Sequence, residues 1–329
     1  MGIENVFVVP EQEKPDGRFP TCPYPNPEIK EALSLGIVLA QEKDADIVIA
    51  TDPDCDRVGT AVKTPSGYQL ISGNEMGILL FDYIVSQMKE KATLPQNPLA
   101  VTTIVSTPMT QAVADEYGVE LLYVLTGFKF IGEQITLLEK QGQSDRFVFG
   151  YEESYGYLSG THVRDKDAVV SSMLIAEMTA YYKSEGKTLR DRMNELYNKY
   201  GNYLQDQSNF TCKGEEGMKM MKEIIDRLIS APPVSIAGRE VLDIANYRDS
   251  VRTITGSGKR ETIDLPSSDV VGFKLDGNAQ VMVRPSGTEP KIKVYYTAVA
   301  DSVEKATGLM QSLKAVSYTH LYLAKIRHG

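Results

Sequence analysis

Short apolar runs alternate with helical patterns through the first two thirds of this 329-residue chain. That alternation confines the fold to layered α/β architectures, because each strand needs a helix layer over its apolar face. Residues 5–9 read as a strand, and a proline-rich loop follows from Pro10 to Pro27. A helix over about 28–43 leads into a strand over 46–51. Residues 75–91 place Met76, Leu79, Leu80, Tyr83, Ile84 and Met88 on one helical face. Strands over 100–105 and 120–125 flank another helix, and 146–149 is a short strand. Val170, Leu174, Met178 and Tyr181 stripe a long helix, read as plain core.

The character changes near Gly201. One helix over about 215–229 precedes short β-like runs rich in turns, including GSGK at 256–259. Strands over 279–283 and 291–299 follow, then a helix carrying Val303, Ala306, Met310 and Leu313 on one face. Domain boundaries are expected near residues 73 and 200. The last stretch, 316–329, shows no clean helical period and is expected to be irregular.

Composition narrows the function. The formal net charge of -9 would repel a phosphate backbone, so nucleic acid is not an expected partner. No apolar run is long enough to span a bilayer, which argues against a membrane partner. Three widely spaced cysteines, Cys22, Cys55 and Cys212, suit a reducing cytoplasm better than a disulfide framework.

Three motifs carry the chemistry. The first is TDPDCDRVG at 51–59, directly after a strand. Asp52, Asp54 and Asp56 alternate along it, so an extended turn can bring them to one point. Two carboxylates ~4 Å apart repel by about 4 kcal/mol at an effective dielectric near 20. Oxygen-only ligands that need a cation between them point to Mg²⁺, and Arg57 beside them offers a planar fork for a phosphate or carboxylate. An EF-hand starting at Asp52 fails, since Arg57 and Lys63 stand where Gly and Glu are required. A haloacid-dehalogenase phosphatase would place Thr or Val at Asp56.

The second motif is RPSGTEPKIKVY at 284–295, between two predicted strands. Arg284 can grip a phosphate bidentately, Ser286 and Thr288 supply hydroxyls, and Gly287 allows close backbone approach. A plain hairpin turn uses the same residue types. The third is GYEESYGYLSGTHVRDKDA at 150–168, where Glu152 and Ser154 share a face in an extended loop and suit sugar hydroxyls. Arg164 and Lys166 have the same spacing and suit a phosphate or a proton transfer, whereas His162 reads as structural or solvated. Upstream, LTGFKFIGE at 125–133 sets Thr126, Gly127 and Lys129 at a strand-to-helix turn, where phosphate esters commonly sit.

In this order the motifs resemble the α-D-phosphohexomutases, most closely the bacterial phosphoglucomutase/phosphomannomutase group, from about residue 3 to residue 315. The resemblance implies tandem mixed-sheet α/β domains followed by an α+β, TATA-binding-protein-like C-terminal domain. Residues 1–73 would be part of the second α/β domain with the metal loop, 74–200 the third with the sugar loop, and 201–329 the phosphate-binding C-terminal domain. It implies that a phosphoserine hands its phosphoryl group to glucose 1-phosphate, that glucose 1,6-bisphosphate is the intermediate, and that glucose 6-phosphate leaves. Mannose phosphates fit the same chemistry. Asp52, Asp54 and Asp56 would then hold Mg²⁺, with Arg57 beside the transferring group. Lys166 would be the acid/base with Lys129 nearby. Glu152 and Ser154 would read the sugar, and Arg284, Ser286, Gly287 and Thr288 would hold the phosphate that does not react.

The family's phosphoserine loop, of the type Thr-Ala-Ser-His-Asn-Pro, does not occur in the 329 residues. The expectation is a chain without the first domain and with little or no mutase activity alone. A non-catalytic phosphosugar-binding module and a magnesium-dependent sugar phosphatase are the competing functions.

Overall fold

The computed structural model describes residues 2–212, 214–286 and 290–326, with side chains as far as Ser317. The chain forms two compact units, Met1–Leu196 and Tyr197–Gly329.

The first unit holds two sheets. Helix α1 (Ser34–Lys43) packs on a three-stranded antiparallel sheet, β1 (Ile47–Thr51), β2 (Val58–Thr64) and β3 (Gly67–Ile71), in that order. Leu33, Ala40, Val48 and Ala61 form the core between them. Helix α2 (Gly73–Glu90) starts with a capping box: the Glu75 amide donates to the Ser72 hydroxyl and the Ser72 amide to the Glu75 carboxylate. The second sheet is mixed, in the order β5-β4-β6-β7. Its strands are β4 (Leu99–Thr103), β5 (Glu120–Val124), β6 (Phe147–Glu152) and β7 (Gly156–Leu158). β4 runs parallel to β5 and β6, and β7 closes a hairpin on β6. Helices α3 (Met109–Tyr117) and α4 (Phe128–Lys140) are the crossovers that parallel strands require. α5 (Ala168–Ser184) and α6 (Leu189–Tyr200) complete the layer.

Among its described residues, the second unit is one antiparallel sheet with two long helices. Its strands are β8 (Asn202–Thr211), β9 (Ser235–Ile236), β10 (Arg239–Asn246), β11 (Val251–Ile254), β12 (Lys259–Thr262), β13 (Val271–Leu275), β14 (Gln280–Pro285) and β15 (Lys291–Ala300). They lie in the order β12-β11-β10-β13-β14-β15-β8, with β9 on β10. α7 (Gly214–Ser230) and α8 (Val303–Ile326) supply Ile224, Ile225, Met310 and Leu313 to a core with Val271, Phe273, Val294 and Tyr296.

The α/β then α+β reading of the sequence therefore holds, with five corrections. Residues 5–9 are not a strand: Val6, Phe7 and Val8 are exposed and no strand pairs with them among the described residues. An apolar run alone does not make a strand, since the backbone needs a ladder partner. The first helix begins only at Ser34, after a 3₁₀ turn over Lys30–Leu33. On α5 the buried stripe is Ala168, Ser171, Ile175, Met178 and Tyr182, because small residues let the helix close on β7, where the Ser171 hydroxyl donates to the Tyr157 carbonyl at 3.2 Å. Residues 316–326 continue α8, anchored where Val316 packs on the core and Ser317 is buried.

α2 is buried nearly all round from Gly73 to Val85 rather than on one face, as expected of a helix enclosed by its neighbours. Among the described residues no helix is long and apolar enough to cross a membrane.

Candidate active site

The acidic loop is the turn joining β1 to β2. The Cys55 amide donates to the Asp52 carbonyl at 3.0 Å, and Cys55 takes a left-handed backbone (φ 56°) to make the reversal. Asp52 is buried and organises the loop. Its Oδ1 accepts the Asp56 and Arg57 amides at 3.1 and 3.0 Å, and its Oδ2 accepts Arg57 Nε at 2.7 Å. Burial works against the Asp52 charge, but the bonds and charge of Arg57 outweigh it and hold the carboxyl below its usual range. Asp54 is exposed. One carboxylate oxygen from each of Asp52, Asp54 and Asp56 can be chosen so that all lie within 4.8 Å of one another. Oxygen-only ligands on a short, polar turn fit a hard divalent cation such as Mg²⁺.

Asp56 faces Lys166, whose Nζ lies 2.8 Å from Asp56 Oδ2 and 3.1 Å from Asp165 Oδ1. Burial raises the Asp56 pKa, helped by the charges of Asp52 and Asp54, and Lys166 does not fully offset this. A carboxylate raised first by burial and then by two neighbouring carboxylates is one that a bound cation would relieve. Burial also opposes the Lys166 charge, but Asp56 and Asp165 hold its pKa above the ordinary lysine value. Lys166 Nζ sits 5.7 Å from the centre of the Phe128 ring, at the start of α4. Its stem passes over Gly156, where a Cβ would come within 2.1 Å of Lys166 Cδ, so the second glycine of GYEESYG makes room for the lysine.

Two backbone bonds tie the acidic loop to the neighbouring elements. The Val58 amide donates to the Tyr155 carbonyl at 3.0 Å, and the Ala168 amide to the Cys55 carbonyl at 3.2 Å. The β6–β7 hairpin turn and the start of α5 are thereby fixed against the acid trio. Glu152 ends β6, buried, and its Oε1 accepts the Gly127 amide at 2.6 Å, while Ser154 is half-buried in the turn. Gly127 precedes α4 with a positive φ of 120°, and Thr126 is half-buried beside it. The strand-to-helix turn and the hairpin thus meet through one carboxylate. Sequence reasoning missed that link, although a glutamate ending a buried strand signals a need for a donor.

Other predicted residues lie differently. Lys129 is exposed, its Nζ 4.9 Å from the Phe130 ring centre. Arg164 is engaged by α4, where Nη2 donates to Glu139 at 2.7 Å and Nε to the Thr136 hydroxyl at 3.2 Å, and by its own loop, where Nη1 donates to the Thr161 carbonyl at 2.6 Å. His162 bonds Asp167 at 2.8 Å, and Asp167 caps α5 by accepting the Val169 and Val170 amides. In the second unit, half-buried Arg284 stands opposite Lys293 on β14 and β15, and the Ser286 amide donates to the Lys291 carbonyl at 2.8 Å. Gly287 and Thr288 lie outside the described residues.

Models of three successive domains of one family match the chain. Residues 1–67 match the phosphoglucomutase/phosphomannomutase α/β/α domain II, 72–200 match domain III, and 267–313 match the C-terminal domain. The chain belongs to the α-D-phosphohexomutase family. Among its relatives in that family, a phosphoglucomutase of Staphylococcus haemolyticus is 34% identical over 308 residues, covering 93% of this chain and 55% of the relative. One of Staphylococcus aureus is 37% identical over 289 residues, covering 88% and 51%. The chain thus spans about half the length of the curated relatives it matches. The fold agrees with solved structures of parafusin, a phosphoglucomutase of Paramecium, and of a phosphoglucomutase/phosphomannomutase family protein from Burkholderia thailandensis. The first has a TM-score of 0.61 at 17% identity, covering 92% of this chain and 50% of that one. The second has a TM-score of 0.58 at 20% identity, covering 94% and 53%.

Proposed function

We propose that this chain supplies the metal, sugar and phosphate sites of a cytoplasmic phosphohexose mutase. The reaction interconverts glucose 1-phosphate and glucose 6-phosphate through a phosphoserine and a glucose 1,6-bisphosphate intermediate. The observation that carries the reading is the convergence of the Asp52/Asp54/Asp56 trio, Arg57 and Lys166 in one loop cluster tied to the β6–β7 hairpin. Phosphoryl transfer depends on charge neutralisation more than on covalent help from the protein, and the acids, Arg57 and Lys166 of this cluster suit that task. The name phosphoglucomutase carried by the relatives is the support for reading the sugar as glucose rather than mannose.

In this reading Asp52, Asp54 and Asp56 hold Mg²⁺. When bound, the ion neutralises charge on the transferring phosphoryl group. Arg57 grips that group. Lys166, held protonated by Asp56 and Asp165, enters as a proton donor to the sugar oxygen, and Lys129 supplies a further positive charge nearby. Glu152 and Ser154 meet the sugar hydroxyls, Thr126, Gly127 and Arg164 border the substrate, and Arg284, Ser286, Gly287 and Thr288 hold the distal phosphate. Nucleic acids and membranes are not partners.

The 329 residues contain no Thr-Ala-Ser-His-Asn-Pro-type loop. The purified chain is therefore expected to bind glucose 1-phosphate in the presence of Mg²⁺ by calorimetry, yet to show no steady conversion to glucose 6-phosphate. Arg57→Ala is expected to weaken that binding about tenfold. Release of free phosphate that Asp52→Asn abolishes and Arg284→Ala leaves unchanged would overturn the mutase reading in favour of a phosphatase.

A further inference from the structure

Arg57 is the cation at the centre of the acidic loop, and one of its carboxylate partners comes from outside that loop. Asp52 Oδ2 at 2.7 Å and Asp56 Oδ1 at 3.8 Å both approach Nε. Glu28 Oε1 lies 3.4 Å from Nη1. A planar group held at one corner can swivel about that contact, and a second contact at another corner stops it. Glu28 is the second corner. It stands 29 residues away in sequence and is not one of the three carboxylates grouped for a cation, so its charge is free to serve the arginine.

The loop carrying Glu28 is itself built to hold that place. Pro27 is buried against β2, and a Cβ on Gly59 would come within 2.4 Å of the Pro27 carbonyl oxygen. Asn26 closes the turn, its Oδ1 accepting the Glu28 amide at 3.0 Å and its carbonyl the Ile29 amide at 3.0 Å. The Glu28 side chain is 23% exposed and that of Arg57 32%, so the pair is shielded from water more than an ordinary surface ion pair.

We propose that Glu28 is the positioning residue of Arg57, locking the plane of its guanidinium so that the remaining nitrogen is presented to a phosphate oxygen. The inference rests on Arg57 being the phosphate-gripping residue proposed above, and it names a residue that acts only through Arg57.

Two measurements on the 329-residue chain test it. The first is calorimetry of glucose 1-phosphate with Mg²⁺ across a double-mutant cycle. Glu28→Gln is expected to weaken binding about fivefold in the parent chain and to have almost no effect when Arg57→Ala is already present. Glu28→Asp, shorter by one methylene but still charged, is expected to fall between. Equal weakening in both backgrounds would overturn the proposal. The second is the rate of rotation of the Arg57 guanidinium about Nε–Cζ, read by ¹⁵N NMR without ligand. A bond at Nη slows that rotation, so Glu28→Gln is expected to speed it about threefold or more. An unchanged rate would also overturn the proposal. If Arg57→Ala itself leaves glucose 1-phosphate binding intact, the phosphate-gripping reading fails instead, and the rotation rate still decides whether Glu28 orients Arg57.

Discussion

Asp52→Ala is expected to cost about 3 kcal/mol of stability and to abolish Mg²⁺ binding in the same step. Both effects come from one buried carboxylate. Removing it leaves the Asp56 and Arg57 amides without their acceptor and strips Arg57 Nε of its closest counter-charge. Losing a buried acceptor leaves its donors unsatisfied at about 1–3 kcal/mol each, less where water can enter. Urea unfolding of the variant checks the first effect and calorimetry the second. A midpoint unchanged from the parent would show that the turn does not depend on Asp52. The pH dependence follows from the same bonds. The Asp52 pKa is lowered on folding, so its contribution is present above the ordinary carboxylate value of 3.8 and is lost as pH falls through the lower folded value. Asp52→Asn is expected to flatten the acid limb of a stability–pH profile.

Gly73→Ala is expected to be as damaging, about 3 kcal/mol, although it adds one methyl group. A Cβ at Gly73 would lie 1.9 Å from the Glu153 carbonyl oxygen, 2.8 Å from its carbonyl carbon and 3.0 Å from the Tyr155 ring. Those atoms form the β6–β7 turn, whose Tyr155 carbonyl is held by Val58. The turn cannot retreat without pulling on the acidic loop, so strain at α2 should reach the candidate site. Gly308→Ala supplies the contrast. Gly308 is exposed on α8 with nothing within 4 Å of its Cβ position, so alanine there should stabilise by about 0.5–1 kcal/mol. Thermal melts of both variants check the pair, and equal behaviour would contradict the packing argument.

How much of this was legible in the sequence depended on how local the signal was. The strand ending at Thr51, the acid trio and the hairpin GYEESYG each declare themselves within a few residues, because apolar runs, alternate carboxylates and turn glycines are short-range patterns. What joins them is not local. Glu28 and Arg57 are 29 residues apart, and Gly127 and Glu152 are 25 apart. The sequence offers only a proline-flanked glutamate and a strand-ending glutamate as hints. Gly73, Gly59 and Gly156 are invisible for another reason. Their need for glycine comes from a neighbouring segment pressing on them, not from a turn of their own. Residues 6–9 are apolar yet have no ladder partner among the described residues, and 316–326 are helical despite weak periodicity, so local pattern alone decides neither.

Mn²⁺ titration of the chain against its Asp54→Asn variant, followed by electron paramagnetic resonance, bears most directly on the acidic turn. Asp54 is exposed and, among the described residues, makes no hydrogen bond or ion pair of its own, so its replacement should leave the fold intact and remove one ligand. One Mn²⁺ per chain, displaced by Mg²⁺ and bound at least about tenfold more weakly by the variant, is the outcome expected if the three carboxylates form a divalent-metal site. An unchanged affinity in a folded variant, or no bound ion in the parent chain, would contradict it.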